Sequence, residues 1–188
     1  MNYIEQMKAY IAKEEEVLSG LDLDSVNNLM NVLEKARKDG RTVFICGNGG
    51  SAATASHFVC DFCKGVSLNQ EKKYNFECLS DNTPLMTAIA NDIGYDDIFV
   101  IPLKAKMHPG DVVVGISGSG NSENVVRALR YAADHGGVTA ALVGYDGGKL
   151  LSLADCTVHV NVDNMQIVED VHMILDHMMM YILANSEK

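Results

Sequence analysis

The chain has 188 residues, of which 47% are hydrophobic and 21% are charged. This composition excludes global disorder, and a chain of this size buries roughly 70% of its unfolded surface without needing disulfides or a structural metal to fold. The formal net charge of -10 argues against a broad electrostatic surface for nucleic acid or an anionic membrane. The chain has no apolar run near the roughly 20 residues of a membrane span, and its acidic N-terminus does not resemble a secretory signal. We therefore expect a cytoplasmic protein with neither nucleic acid nor membrane as a partner.

Two amphipathic helices are predicted at the start of the chain. Apolar residues recur every three or four positions after Ile4 and again from Val26 to Leu33, which is the spacing of a helix with one apolar face. The break falls near residues 19–22, and Gly40 provides a C-terminal stop for the second helix. We expect this pair, residues 1–40, to pack on the rest of the domain or on a neighbouring subunit.

Five short apolar runs follow, alternating with helical patterns. They cover residues 42–47, 74–80, 111–117, 138–144 and 156–162. Continuous apolarity is typical of strands that are covered on both faces, so the pattern predicts an α/β fold, a three-layer αβα sandwich with a five-stranded parallel sheet. A long Met-rich helix from Asn164 to Asn185 closes the chain. With no internal repeat or linker, residues 1–188 are predicted to form a single domain.

The cysteines are odd in number and lie in apolar runs. They are Cys46, Cys60, Cys63, Cys78 and Cys156. This usage favours a reducing compartment and buried thiols. The C-x-x-C pair at 60 and 63 lies well inside a helical run, not at a helix start after a strand, so we interpret it as buried helix packing in preference to a redox or zinc-thiolate site.

Two glycine-rich polar loops follow the first and third predicted strands. Their sequences are Gly47-Asn48-Gly49-Gly50-Ser51 and Ser117-Gly118-Ser119-Gly120-Asn121-Ser122. Each loop precedes a helix, whose first N–H groups can bind an anion, and hydroxyl and amide groups can hold a phosphate without Lys or Arg. Neither loop matches the P-loop or the dinucleotide-binding motif. A tight strand-to-helix turn would explain either loop alone, but the two together favour a binding site at the carboxyl ends of the strands.

Titratable residues recur on two predicted helices. His57 and Asp61 are four residues apart on one face, where they can act together on a ligand or a metal or form only a surface hydrogen bond. On the last helix Glu169 and His177 are about 80° apart, whereas His172 and His177 are about 140° apart. Only one of these histidines can therefore share a site comfortably with Glu169 and a ligand from the other helix.

The segment Asn91-Asp92 follows a helical stretch and precedes Ile93-Gly94. Its short polar side chains can meet sugar hydroxyls. A helix-ending Asx turn explains them equally well. The residues alone leave both interpretations open.

Taken in order, four segments resemble the sugar isomerase (SIS) domain of the phosphoheptose isomerase family. They read CGNGGSAATASHF, ANDIGYDDIF, GISGSGNSENVVRAL and EDVHMILDH, and the resemblance extends over nearly the whole chain. It implies a single SIS domain in a homotetramer whose active sites are shared between subunits. It also implies conversion of sedoheptulose 7-phosphate to D-glycero-D-manno-heptose 7-phosphate, with zinc as the metal.

The resemblance also implies roles for individual residues. Those matching substrate-binding positions are Asn48, Gly49, Gly50, Ser51, Asp61, Asn91, Asp92, Ser117, Gly118, Ser119, Ser122 and Glu169. Of these, Ser117, Gly118, Ser119 and Ser122 would hold the phosphate, and Asn91 with Asp92 would contact the sugar chain. The implied metal ligands are His57, Asp61, Glu169 and His177, and the implied catalytic residues are Asp61 and His177.

Two of these positions depart from better-known family members, which carry Glu where this chain has Asp61 and Gln where it has Glu169. Asp is shorter by about one carbon-carbon bond, and such a displacement can cost roughly 10²-fold in rate unless the backbone compensates. Glu in place of Gln adds an anionic ligand, so zinc remains suitable while manganese or iron also becomes conceivable.

The sequence alone therefore leaves three functions open. The first is aldose-ketose isomerisation of sedoheptulose 7-phosphate through a cis-enediol with metal assistance. The second is isomerisation of another sugar phosphate. The third is a non-catalytic SIS protein that senses a sugar phosphate or associates with the replication initiator. A convergent set of titratable residues favours an enzyme.

Overall fold

The five predicted strands form one parallel sheet in the computed structural model, which describes residues 1–186. The strands are β1 (Thr42–Gly47), β2 (Asn75–Cys78), β3 (Val112–Ser117), β4 (Val138–Val143) and β5 (Cys156–His159). Their order across the sheet is β2-β1-β3-β4-β5. The two edge strands end earlier than the apolar pattern predicts, because Leu79 and Val160 are still buried as the chain leaves the sheet.

Helices cover both faces of this sheet, which confirms the predicted α/β sandwich. They are α1 (Ile4–Ser19), α2 (Leu23–Asp39), α3 (Gly50–Cys60), α4 (Thr83–Asp92), α5 (Val100–Lys106), α6 (Glu123–Asp134), α7 (Gly148–Leu153) and α8 (Met165–Asn185). The helix α2 ends at the left-handed Gly40, as predicted, and the Asn164 side chain caps α8 by accepting a hydrogen bond from the Ile167 N–H. Within residues 1–186, none of the helices combines the length and apolarity that crossing a membrane requires.

Alternate residues of each central strand supply two separate hydrophobic cores. Val43 and Ile45 of β1 face the core formed with α2, α3 and α8, whereas Phe44 and Cys46 face the core formed with α5 and α6. All four side chains are at most 2% exposed. Burial on both faces explains why the strands read as continuous apolar runs.

The exposure of two cysteines corrects the expectation of buried thiols. Cys60 and Cys63 are both exposed, because Phe58 and Phe62, four residues apart, occupy the core-facing side of this helical segment. The remaining three cysteines are buried or partly buried, and all five thiols are free.

The strand order places the two glycine-rich loops side by side. β1 pairs with β2 on one side and with β3 on the other, so the connections from β1 and β3 leave the sheet in opposite directions. Open α/β sheets bind ligands at this kind of switch point, outside the carboxyl ends of the strands. Residues 47–51 and 117–122 begin at those carboxyl ends.

The helix α1 contributes no buried residue to either core. It lies against α8, where the Tyr10 hydroxyl donates a hydrogen bond to Asp170. Its apolar side chains Met7 and Ile11 are 60% and 55% exposed. This leaves an apolar helix face that the chain itself does not cover.

Candidate active site

The two glycine-rich loops line one small cavity of about 160 Å³. Its walls are formed by Asn48, Ser51, Ile116, Ser117, Gly118, Ser119, Ser122, Met165 and Glu169. No Lys or Arg is among these residues, so an anion in the cavity would be bound by hydroxyl, amide and backbone N–H groups. The structure therefore brings together the two loops that the sequence predicts to form one binding site.

The second loop leaves the N-terminus of α6 free to bind such an anion. Ser122 is the residue before α6, but its hydroxyl makes no capping hydrogen bond. It lies instead 3.1 Å from the Ser117 hydroxyl. In this first turn of α6 the Val125 N–H donates to the Asn124 side chain, whereas the Glu123 and Asn124 N–H groups receive no cap from Ser122. Uncapped N–H groups at a helix N-terminus are the arrangement used for phosphate binding.

A pair of side-chain amides joins the first loop to α6. Asn48 and Asn124 donate to one another's amide oxygens, each over 2.9 Å, and the Tyr95 hydroxyl donates to the Asn48 oxygen over 2.8 Å. Neither Asn124 nor Tyr95 was predicted. The signal for Asn124 was present in the sequence, because it is a polar residue on the buried face of an apolar helix and is only 2% exposed.

Asn91 and Asp92 lie in the last turn of α4, and both are exposed. The Asn91 amide donates to the Asp92 carboxylate over 2.7 Å. The next segment is held by Arg127, which contacts Asp97 over 3.1 Å and Asp96 over 3.2 Å. Through the Tyr95 hydroxyl, this segment reaches the first loop. Asn91 and Asp92 are not among the residues that line the cavity, and their contact with a sugar remains a prediction.

Beyond the cavity, α3 and α8 bring two histidines together. The Nε2 atoms of His57 and His177 are 3.1 Å apart. Asp61 places a carboxylate oxygen 3.6 Å from the His57 Nε2 and 4.0 Å from the His177 Nε2. The two histidine side chains are about half exposed, while Asp61 is only 14% exposed. This cluster can exchange protons with a ligand that enters from the solvent side.

Asp61 reaches both histidines although Asp is a short side chain. It begins a π-helical turn, Asp61–Val66, that continues α3 and is closed by the Ser67 N–H donating to the Phe62 carbonyl. A π-helical turn widens the helix and redirects its side chains, and such turns are frequent at functional sites. The backbone therefore supplies a site geometry in which the shorter carboxylate still reaches its partners.

A second carboxylate, Asp176, completes the cluster and was not predicted. One ligand atom from each of His57, Asp61, Asp176 and His177 lies within 4.8 Å of the other three. Asp176 is fully buried, and neither of its oxygens has a hydrogen-bond partner in the described part of the chain. Burial, together with the charge of Asp61, raises the pKa of Asp176 to about 8. Its sequence signal was an Asp within an apolar helix, next to a candidate histidine.

These four residues fit a divalent metal. Two nitrogens bound to one tetrahedral zinc lie about 3.3 Å apart, given zinc-nitrogen bonds of about 2.0 to 2.1 Å, and the two Nε2 atoms are 3.1 Å apart. A cation would also provide the partner that the Asp176 carboxylate lacks in residues 1–186. Two imidazoles and two carboxylates are donors that zinc, manganese and iron accept.

Glu169 lies away from this cluster, beside the first loop. A Cβ atom at Gly50 would fall 2.6 to 2.7 Å from the Glu169 carboxylate oxygens, so only glycine permits this close approach. Eight residues of helix, about 12 Å of rise, separate Glu169 from His177. The structure thus places Glu169 at the cavity between the two glycine-rich loops, and its role as a metal ligand remains a prediction.

Comparison with known proteins agrees with this architecture. The family model described as the SIS domain matches residues 2–144. A probable phosphoheptose isomerase from Thermoplasma acidophilum is 37% identical over 171 residues, which cover 91% of this chain and 93% of the relative. The phosphoheptose isomerase of Helicobacter pylori strain P12 is 37% identical over 172 residues, covering 92% and 87%.

A solved structure shows the same relationship in three dimensions. Phosphoheptose isomerase GmhA from Neisseria gonorrhoeae superimposes with a TM-score of 0.87 at 29% identity, covering 97% of this chain and 98% of that one. A parallel sheet with a cavity at its switch point defines the class of open α/β proteins that bind ligands at the carboxyl ends of their strands. Within that class, the chain belongs to the SIS domain family and, inside it, to the phosphoheptose isomerase family.

Proposed function

We propose that this protein interconverts sedoheptulose 7-phosphate and D-glycero-D-manno-heptose 7-phosphate through a cis-enediol. As a member of the phosphoheptose isomerase family, the chain is an aldose-ketose isomerase of sugar phosphates. The observation that carries the finer proposal is that α3 begins at the phosphate cavity and ends at the His57–His177 pair. One helix thus connects the binding end of the site to the reacting end.

The spacing along α3 suits a long sugar. Seven residues separate Gly50 from His57, which corresponds to about 10 Å of helix. An extended chain advances about 1.2 Å per bond, so the seven bonds from C2 to the phosphorus of a heptulose 7-phosphate span roughly 8 Å. A phosphate in the cavity would therefore leave C1 and C2 near the histidine pair.

At the phosphate end, the site binds the anion through hydrogen-bond donors and not through Lys or Arg side chains. Ser117, Ser119 and Ser122 offer hydroxyl groups, and the start of α6 offers backbone N–H groups. The Asn48–Asn124 pair holds the first loop against α6, so both walls of the cavity are fixed before substrate enters. Preorganised donors of this kind lose little entropy on binding.

At the reacting end, a proton must move between C1 and C2. We assign catalysis to Asp61 and His177, which both belong to the cluster. The Asp61 carboxylate takes the proton from one carbon and returns it to the other, and His177 helps to hold the cation that acts on the substrate oxygens. A bound divalent ion, which we take to be zinc, supplies polarisation of the carbonyl and hydroxyl oxygens.

We further propose that the enzyme acts as a homotetramer with sites shared between subunits. The observation supporting association is the uncovered apolar face of α1, where Gln6, Met7, Tyr10 and Ile11 line a groove. Apolar helix faces of this kind are typical of interfaces between copies of one chain. Association of α1 with a second copy would remove this face from water.

The test is proton NMR of sedoheptulose 7-phosphate with metal-loaded protein in deuterated water. We expect an aldose phosphate to appear with deuterium at the exchanging carbon, and we expect Asp61→Ala and His177→Ala to abolish exchange while inorganic phosphate still binds. Asp134→Ala, at the exposed end of α6, serves as the matched control with wild-type activity. Phosphate binding by the wild type without any exchange would contradict the proposal and favour a sugar-phosphate sensor.

A further inference from the structure

Asp176 is an unusual residue for its position in the fold. It lies on α8 among residues of the larger core, with Leu175 and Met179 fully buried beside it in sequence. Its own side chain is 0% exposed, and both oxygens lack a protein partner in the described residues. Burying a carboxylate without a partner is strongly unfavourable, so such a residue calls for a ligand or a proton.

The surroundings of Asp176 favour a cation. Its carboxylate oxygen lies within 4.8 Å of Asp61, His57 and His177 ligand atoms, so two carboxylates face one another across two imidazoles. Without a cation, Asp61 adds repulsion to the cost of burial. A divalent ion among the four groups would offset both costs, and neutral imidazoles are suitable co-ligands.

We propose that Asp176 is a direct ligand of the metal and forms the inner wall of the site with His57 and His177. This inference rests on the proposed metal-assisted isomerase function and adds a ligand that the resemblance does not imply. Two histidines and one carboxylate are a common set of protein ligands at catalytic zinc, where the fourth position stays open.

The assignment also gives metal binding and proton transfer to different carboxylates, because one carboxylate performs both poorly. A tightly bound ligand is a weak base, because the metal holds the electron pair that a proton would need. Asp61 is partly exposed at the mouth of the cluster, whereas Asp176 is closed off behind it. With Asp176 as the ligand, the Asp61 carboxylate stays available to move the proton between C1 and C2.

The experiment measures metal affinity directly. Chelator-treated wild type, Asp176→Asn and Asp61→Asn are titrated with Co²⁺, followed by its d-d absorption, and then with Zn²⁺ in competition. Loss of a residue that only supports a ligand costs 10- to 100-fold in affinity, so we expect Asp176→Asn to lose at least about 100-fold. Asp61→Asn should lose less than about 10-fold in affinity while its isomerisation rate falls. Asp134→Asn is the matched exposed control.

Other results would overturn the assignment. A loss below about 100-fold for Asp176→Asn would show a supporting or purely structural carboxyl group, and a larger loss for Asp61→Asn would make Asp61 the ligand. If Asp176→Asn does not fold, X-ray absorption and a crystal structure of the Zn²⁺-loaded wild type decide, with an Asp176 oxygen expected about 2.0 to 2.2 Å from the ion. Wild-type metal binding without isomerase activity would overturn the proposed function but not this ligand.

Discussion

Asn48 and Asn124 exchange two hydrogen bonds of 2.9 Å across the switch point of the sheet, although 76 residues separate them in the chain. The pair joins the loop after β1 to the helix after β3. Asn124 also accepts a hydrogen bond from the Val125 N–H. Because the amide pair is partly buried, each side chain depends on the other for its polar contacts.

Removing Asn124 should therefore weaken phosphate binding without touching the reacting end. Asn124→Ala leaves the Asn48 amide short of a partner, which costs about 1 to 3 kcal/mol of stability, and it loosens one wall of the cavity. We expect a higher KM and weaker binding of inorganic phosphate, with kcat changed much less. Calorimetric titration with phosphate and steady-state kinetics measure both. Asn28→Ala, exposed on α2, is the matched control, and an unchanged KM would contradict a positioning role for Asn124.

Replacing Asp61 with the glutamate that the resemblance implies at this position should lower activity. Asp61 already places an oxygen 3.6 and 4.0 Å from the two Nε2 atoms, so the extra methylene of Asp61→Glu pushes the carboxylate past them. A displacement of this size costs about 10²-fold in kcat. Kinetics at saturating metal, with Asp134→Glu as the control, check this. Equal or higher activity would mean that the π-helical turn Asp61–Val66 adapts to either side chain.

The sequence predicts the sheet and the cavity of this protein, but not the full set of residues in the histidine cluster. Strands buried on both faces and glycine-rich loops leave local patterns, so the sheet and both walls of the cavity were predictable. Tertiary packing decides the rest. In the sequence, Asp176 is a polar residue in an apolar helix, and nothing local shows that it joins the histidine cluster. Glu169 lies on the same helix as His177, but the rise of that helix separates Glu169 from this cluster.

Buried His172 should make folding stability fall in mild acid. Burial lowers its pKa to about 4, only partly offset by its hydrogen bond to the Val143 carbonyl. An unfolded histidine titrates near 6.5, so between about pH 6.5 and 4 the unfolded state binds the extra proton. Stability attributable to His172 is complete above that range and is lost as the pH falls through it, by up to about 3 kcal/mol.

The variant His172→Gln keeps a polar side chain but cannot titrate. Urea unfolding of metal-free protein between pH 7.5 and 4.5 should show a smaller acid loss in this variant than in the wild type. The difference between the two isolates His172 from Asp176, whose raised pKa acts in the opposite direction. His135→Gln, at an exposed position, should retain the wild-type pH dependence. Parallel curves for wild type and His172→Gln would contradict a neutral buried imidazole.

A charge on the uncovered face of α1 should break the proposed assembly. Ile11 lies in the apolar groove of α1 and is 55% exposed in the single chain. Ile11→Asp would bury a carboxylate if that face packs against another copy, so we expect light scattering to report a smaller species than the tetramer proposed for the wild type. Lys13→Asp, on the same helix, controls for charge alone. A wild-type monomer, or an unchanged tetramer in Ile11→Asp, would contradict the role of this face.

Removing the charge of Glu169 should strengthen phosphate binding. Its carboxylate lines the same cavity as Ser117 and Ser122 and lies against Gly50, so a bound phosphate meets a like charge. Even with the full screening of bulk water, two like charges about 4 Å apart repel by about 1 kcal/mol, which corresponds to roughly a fivefold change in affinity. We expect Glu169→Gln to bind inorganic phosphate about fivefold more tightly, and less so at high salt. Titration of the metal-free protein excludes any contribution from a metal, and weaker binding by Glu169→Gln would instead show that the carboxylate helps to shape the cavity.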